Sequence, residues 1–182
     1  MRHTRSILPV LALGLVAAGC GSVDVVGIGT DPSHSAAGAP IRTDSSVYHV
    51  RTTPTGHELT IGVRFTNVTG GTAYIPTCHT PHPPVLEKLE GDRWVTAYSP
   101  VVLMCLGPPV VIPAGSSYDY TYRVLASTRP NTYPRFEVAE IRGTYRLVWH
   151  ILGSWNPDGP EPGLGTPLPL EQRVSNTFRI ES

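Results

Sequence analysis

Lysine is almost missing from this chain. Lys88 stands alone against thirteen arginines, and 14 acidic residues balance the 14 basic ones. With only 15% charged residues and no basic run, the chain lacks the electrostatic footprint of a nucleic-acid binder, and no nucleic-acid partner is expected. Helical periodicity is lacking as well: no segment keeps apolar residues at helical spacing over three turns. The sequence also holds no Gly-x-Ser-x-Gly, no His-Glu-x-x-His and no glycine-rich phosphate loop, so neither an enzyme nor a cofactor is expected. Cysteine is scarce, with three residues, and each of them bears on the reading below.

The first of these, Cys20, closes an N-terminal segment in which a basic start (Met1 to Arg5) precedes an apolar run from Ile7 to Ala18. That run falls short of the ~20 apolar residues that span a bilayer, and it has the layout of a signal peptide. Its end, Leu15-Val16-Ala17-Ala18-Gly19-Cys20, resembles the lipobox of bacterial lipoproteins. The resemblance implies cleavage before Cys20, acylation of its thiol, and a lipid bilayer as a partner. It implies an exported protein anchored to the outer membrane where the cell has one, or otherwise to the outer face of the plasma membrane. Removal of residues 1–19 leaves 12 basic residues against 14 acidic ones. Residues 20–46 are rich in Gly, Ser, Ala, Asp and Pro and read as a tether, with a reach of roughly 25 to 30 Å for a flexible coil.

From residue 47 onward, short apolar-alternating runs are separated by turn residues. Leu59, Ile61, Val63 and Phe65 fall on every second position, the period of a half-buried strand. Further strands are expected at 47–51, 73–76, 85–89, 94–98, 110–112, 118–124, 145–151 and 174–180, with Glu90 to Arg93 turning a hairpin. The fold class is therefore all-β, an antiparallel sandwich of roughly seven to nine strands over residues 47–182. Tyr118, Tyr120 and Tyr122 share one strand face and read as sheet packing, and His150 as a structural residue in an apolar strand.

An Asn-terminated strand (Arg64-Phe65-Thr66-Asn67), a Pro-Ala-Gly turn at 113–115 and Gly143-Thr144-Tyr145-Arg146-Leu147 resemble the immunoglobulin-like domains of bacterial secreted proteins. More loosely, they are similar to the sandwich family that includes an intracellular proteinase inhibitor of bacilli. The resemblance covers about residues 47–181 and implies an immunoglobulin-like sandwich. It places Tyr145 as the tyrosine of a tyrosine corner, with Leu147 where antibody domains carry a cysteine.

Two stretches are candidate sites. In Cys78-His79-Thr80-Pro81-His82-Pro83-Pro84, Cys78 is expected to pair with Cys105, because two cysteines left in an exported domain most simply form a disulfide. The alternative is a copper or zinc site on Cys78, His79 and His82, with Met104 or Cys105 as a further sulfur ligand, since sulfur with imidazole suits those metals, although the spacing matches no common zinc pattern. The second stretch is the loop 153–165, with Trp155 as an aromatic anchor and Asn156, Asp158 and Glu161 as polar neighbours. These residues do not match a calcium loop. The functional expectation is a membrane-anchored binding or structural module of the cell envelope, whose partner is another envelope or extracellular protein. A protease inhibitor using an end loop and a copper/zinc-binding envelope protein are the alternatives.

Overall fold

The computed structural model describes residues 38–181 except 104, 106, 157 and 159–164. The leader, Cys20 and the tether up to residue 37 lie outside the described residues. The strands are β1 (Ile41–Thr43), β2 (Val47–His49), β3 (Arg51–Thr53), β4 (Gly56–Thr66), β5 (Ala73–Cys78) and β6 (Thr80–Pro81). They continue as β7 (Val85–Glu90), β8 (Arg93–Tyr98), β9 (Gly107–Ile112), β10 (Ser117–Ser127), β11 (Gly143–Val148) and β12 (Phe178–Glu181). Apart from a 3-10 turn at Leu170–Gln172, no helix is present among the described residues.

Alternation does in the structure what it announces in the sequence. Leu59, Ile61, Val63 and Phe65 of β4 are buried, and Tyr122, Val124 and Ala126 of its neighbour β10 point into the same core. β4 carries β1 and β3 along one edge and β10 along the other. A five-stranded sheet, in the order β2-β12-β11-β7-β8, supplies the opposing face through Leu86, Tyr98, Tyr145, Leu147, Phe178 and Ile180. These side chains form one continuous cluster, so the molecule is an all-β sandwich. Having β4 beside β10 in one sheet and β12-β11-β7 in the other is the pairing of immunoglobulin-type sandwiches.

All nine expected strands are present, and the strand count is higher for physical reasons. Residues 47–51 fall into two strands, because the chain passes from one sheet to the other at Val50: β2 runs parallel to β12, whereas β3 pairs with β4. β1 and β6 span three and two residues, too few to show a period. The folded body accordingly begins before residue 47. Ile41 is fully buried, so residues 41–46, grouped with the tether by their composition, belong to the folded body. The switch from β1 to β2 is locked by Asp44, whose carboxylate accepts from the Gly62 amide at 3.0 Å and from the Tyr48 hydroxyl. Burial, and next the Asp44 bond, push the Tyr48 phenol up to about 12.

The corners are closed by buried polar groups. Tyr145 donates its hydroxyl to the Ile141 carbonyl at 2.5 Å, the tyrosine-corner bond expected from the sequence, and Leu147 packs in the core. The single lysine is buried too, with Lys88 Nζ donating to the Glu140 carbonyl at 2.5 Å. Asn67, fully buried at the end of β4, donates to the carbonyls of Gly71 and Ile112 and accepts from the amide and hydroxyl of Thr69. Each buried polar group left without a partner costs about 1–3 kcal/mol, and this one side chain serves two turns. Asn67→Ala is therefore expected to lower unfolding stability by about 3 kcal/mol in equilibrium denaturation. A loss under ~1 kcal/mol would show that water replaces the amide.

Candidate functional site

One hairpin builds the region around Cys78, and the register shows it to be interrupted. β5 pairs with β9 from Ala73↔Ile112 to Thr77↔Gly107, and nested inside it β7 pairs with β8 from Leu86↔Tyr98 to Glu90↔Arg93. The tip is tight: Gly91, at φ 63, takes the first of two loop positions, where a type II′ turn requires positive φ. Between the two ladders, residues 79–84 leave one arm and 99–106 leave the other. A neighbour spans the gap: β11 pairs with β7 up to Val148↔Val85, and four residues on Leu152 bridges Tyr74 of β5. Both ladders thus lie along one chain segment, as two halves of a single arm pair.

The Cys78–Cys105 disulfide closes the interruption immediately beyond the Thr77↔Gly107 pair, with the two Cα atoms 5.2 Å apart. That separation is in the ordinary range for a bridge. The arms approach closely here. A side chain at Gly107 would collide with Thr77 Oγ1, which instead donates to the Pro108 carbonyl at 2.9 Å. The disulfide expectation from the sequence is met.

His79 forms the apex where β6 folds back on β5, and its φ is 62. Left-handed backbone is disfavoured for most residues, with His among the several-fold enriched exceptions. This turn carries the exposed His79 side chain to the disulfide, so that one donor atom each from Cys78, His79 and Cys105 falls within 4.8 Å of the others. His82, named with Cys78 and His79 as the alternative metal set, is not in that group; Cys105 takes its place. The reason is topological. The backbone of His82 is anchored elsewhere, its amide donating to Pro76 and its carbonyl accepting from Trp149 Nε1 at 2.7 Å. Its ring is half-buried with Nε2 unpartnered, and that burial holds the imidazole below its ordinary value. His150 lies beyond the end of β11 with an exposed side chain, rather than inside the strand, and desolvation by its neighbours, then Arg173 and His82, hold it below its ordinary value too.

On the other arm the structure displays a feature outside the two candidate stretches. Val101, Val102 and Leu103 are 61%, 39% and 61% exposed. A single exposed aliphatic residue is ordinary, but three in succession beside a disulfide form a patch. The available signal was a consecutive apolar run without alternation, between Ser99-Pro100 and Gly107-Pro108-Pro109, which is neither a strand of period two nor long enough for a helix.

The loop at 153–165 is at the opposite end of β5 from Cys78, since its entry residue Leu152 pairs with Tyr74 near the start of that strand. Its neck is pinned: Gly153 donates to Thr166 O at 2.8 Å, and Thr166 N donates to Ser154 Oγ at 2.9 Å. Trp155 is half-buried rather than a free anchor, Asn156 and Asp158 are exposed, and Glu161 lies outside the described residues. The structure therefore does not bring this loop together with the cysteine corner.

Two surface grooves carry polar side chains that are paired with close neighbours. The first, of about 430 Å³, runs over β1, β4 and β10, where Arg64 and Asp119 neutralise each other at 2.6 Å. The second, of about 460 Å³, contains Ser127 and His57, but the Ser127 hydroxyl accepts from the Arg129 amide and His57 Nδ1 faces the Thr52 hydroxyl. The tyrosine stripe is structural: Tyr122 is buried, and Tyr118 and Tyr120 pack on Trp149 with ring centroids 6.3 and 5.2 Å away. No family model matches the chain, nor does any curated protein or solved structure.

Two outcomes follow from this geometry. Replacing both bridge cysteines with alanine is expected to lower unfolding stability by roughly 3 to 4 kcal/mol, the loop-entropy value for a separation of 27 residues, read by denaturant titration. A depressed histidine pKa means that the unfolded chain takes up protons first on acidification. The stability contributed by neutral His82 is thus complete above about pH 6.5 and is lost as the pH falls through the folded-state value. The denaturation midpoint of the wild type should drop between pH 7 and 5 by more than that of His82→Leu; equal drops would assign the acid sensitivity to other groups.

Proposed function

We propose that the protein is an exported lipoprotein, held at the membrane by acylated Cys20, whose immunoglobulin-like sandwich is a non-enzymatic binding module for another protein of the envelope or its surroundings. The observation that carries this reading is the outward-facing run Val101-Val102-Leu103, held beside the Cys78–Cys105 bridge. Burying an aliphatic side chain contributes about 1.5–3 kcal/mol, so three neighbours offer a partner a compact apolar anchor.

The direction of the patch supports a protein partner over the anchoring bilayer. The chain enters the sandwich at Pro40 and Ile41 beside Thr66, next to the turn between β9 and β10. The patch lies beyond the far end of β9, which spans six residues, about 20 Å away along the strand.

The test places a photo-crosslinking side chain at Leu103 in intact cells, with Val68, equally exposed at the tether end, as the control. One discrete protein adduct at Leu103, absent at Val68 and lost with Val102→Asp, is the expected result. Equal labelling at both positions, or adducts with lipid only, would overturn the binding surface. In the same cells, Cys20→Ser should move the protein from the membrane fraction to the soluble fraction; unchanged membrane retention would overturn the anchor.

A further inference from the structure

The disulfide has a neighbour that a purely structural staple does not need. A hairpin apex with positive φ is satisfied by Gly or Asn, yet the residue there is His79, exposed and with a ring nitrogen within 4.8 Å of both sulfurs. Cys105 is exposed while Cys78 is buried, so one sulfur of the bridge is open to an attacking thiolate and the other is held by the core. The donor set is two sulfurs and one imidazole, all within 4.8 Å. Around Zn²⁺, bonds of about 2.3 Å to sulfur and 2.0–2.1 Å to nitrogen put tetrahedral donors roughly 3.5 Å apart, within small side-chain movements of this arrangement.

We propose that Cys78, Cys105 and His79 form a redox-gated zinc site, closed as the disulfide and opened by reduction. An external dithiol of the thioredoxin chemical class attacks the exposed sulfur of Cys105 and breaks the S–S bond. Its second thiol then resolves the mixed disulfide, leaving two protein thiols and one oxidised dithiol. Zinc binding displaces the two thiol protons, and the Cys78 and Cys105 thiolates with one nitrogen of neutral His79 fill three positions, leaving the fourth to water. The three donors come from both arms of the interrupted hairpin, so the metal replaces the covalent tie with a coordinate one at the same point. Two features give the site its selectivity for a soft or borderline ion: the sulfur-rich set, and the lack of any carboxylate in the cluster.

The experiment titrates Zn²⁺ into chelator-free Cys20→Ser protein against a chromophoric zinc indicator, once oxidised and once after reduction by a dithiol that is then removed anaerobically. Tryptophan fluorescence follows the fold in parallel. One zinc per reduced chain and none per oxidised chain is the expected result. His79→Asn, which keeps a residue tolerant of positive φ but removes the imidazole, should weaken binding at least tenfold, while His82→Gln leaves it unchanged. Folded reduced protein that takes up no zinc, or that binds it equally well with His79→Asn, overturns the proposal. Should reduction unfold the domain, one equivalent of zinc must restore the native fluorescence in the wild type and not in His79→Asn; failure of that recovery overturns it as well.

Discussion

The Cys78–Cys105 bond is the constraint on which the outer half of the molecule depends. Antiparallel arms keep register because each residue pair positions the next, and a slip of one residue would turn every side chain to the wrong face. Here the series stops at Thr77↔Gly107 and resumes at Leu86↔Tyr98. The disulfide ties the arms where the first ladder ends, and the segment leading from β11 to Leu152 aligns both ladders from the other flank. Held on one side by a covalent bond and on the other by a continuous neighbour, the two loops leave the sheet without loss of register.

Most polar side chains that suggest chemistry are committed to holding this frame. Asn67 closes two turns, Asp44 and Tyr48 lock the passage between sheets, Tyr145 fixes a corner and Lys88 pins the segment before β11. His82 belongs with them through its backbone, since the Trp149 indole bonds to its carbonyl and packs against Tyr118 and Tyr120. This chain of contacts connects the base of the cysteine corner to the core. The corner is thus a rigid platform, and what it displays is displayed in a fixed direction.

How much of this was legible depended on whether the signal was local. Alternation along β4 and β10 identified the longest strands, because a half-buried sheet imposes period two over eleven residues in each. The disulfide was legible from the cysteine count, and the tyrosine corner from the resemblance to immunoglobulin-like domains. The start of the body at Ile41 was not, because a three-residue strand carries no period and its buried isoleucine is surrounded by turn formers. Nor was the exclusion of His82 from the donor cluster: its backbone is anchored to Pro76 and Trp149, contacts that one sequence does not display. The apolar run at 101–103 was visible as composition, but its outward orientation is a property of the interrupted register alone.

That orientation also couples the two surfaces. Leu103 lies two residues from Cys105, so the state of the cysteine pair sets how firmly the apolar run is held. With the disulfide formed, the loop's end is fixed to the edge of β5, and the hydrophobic side chains are presented with little freedom left to lose on binding. With it opened, the same loop regains chain entropy that any partner would have to remove, and a metal ion held by the proposed site would restore the constraint. A staple placed for stability alone would serve equally well deep in the core; placed at the root of an exposed apolar loop, it also sets how rigidly that loop is held.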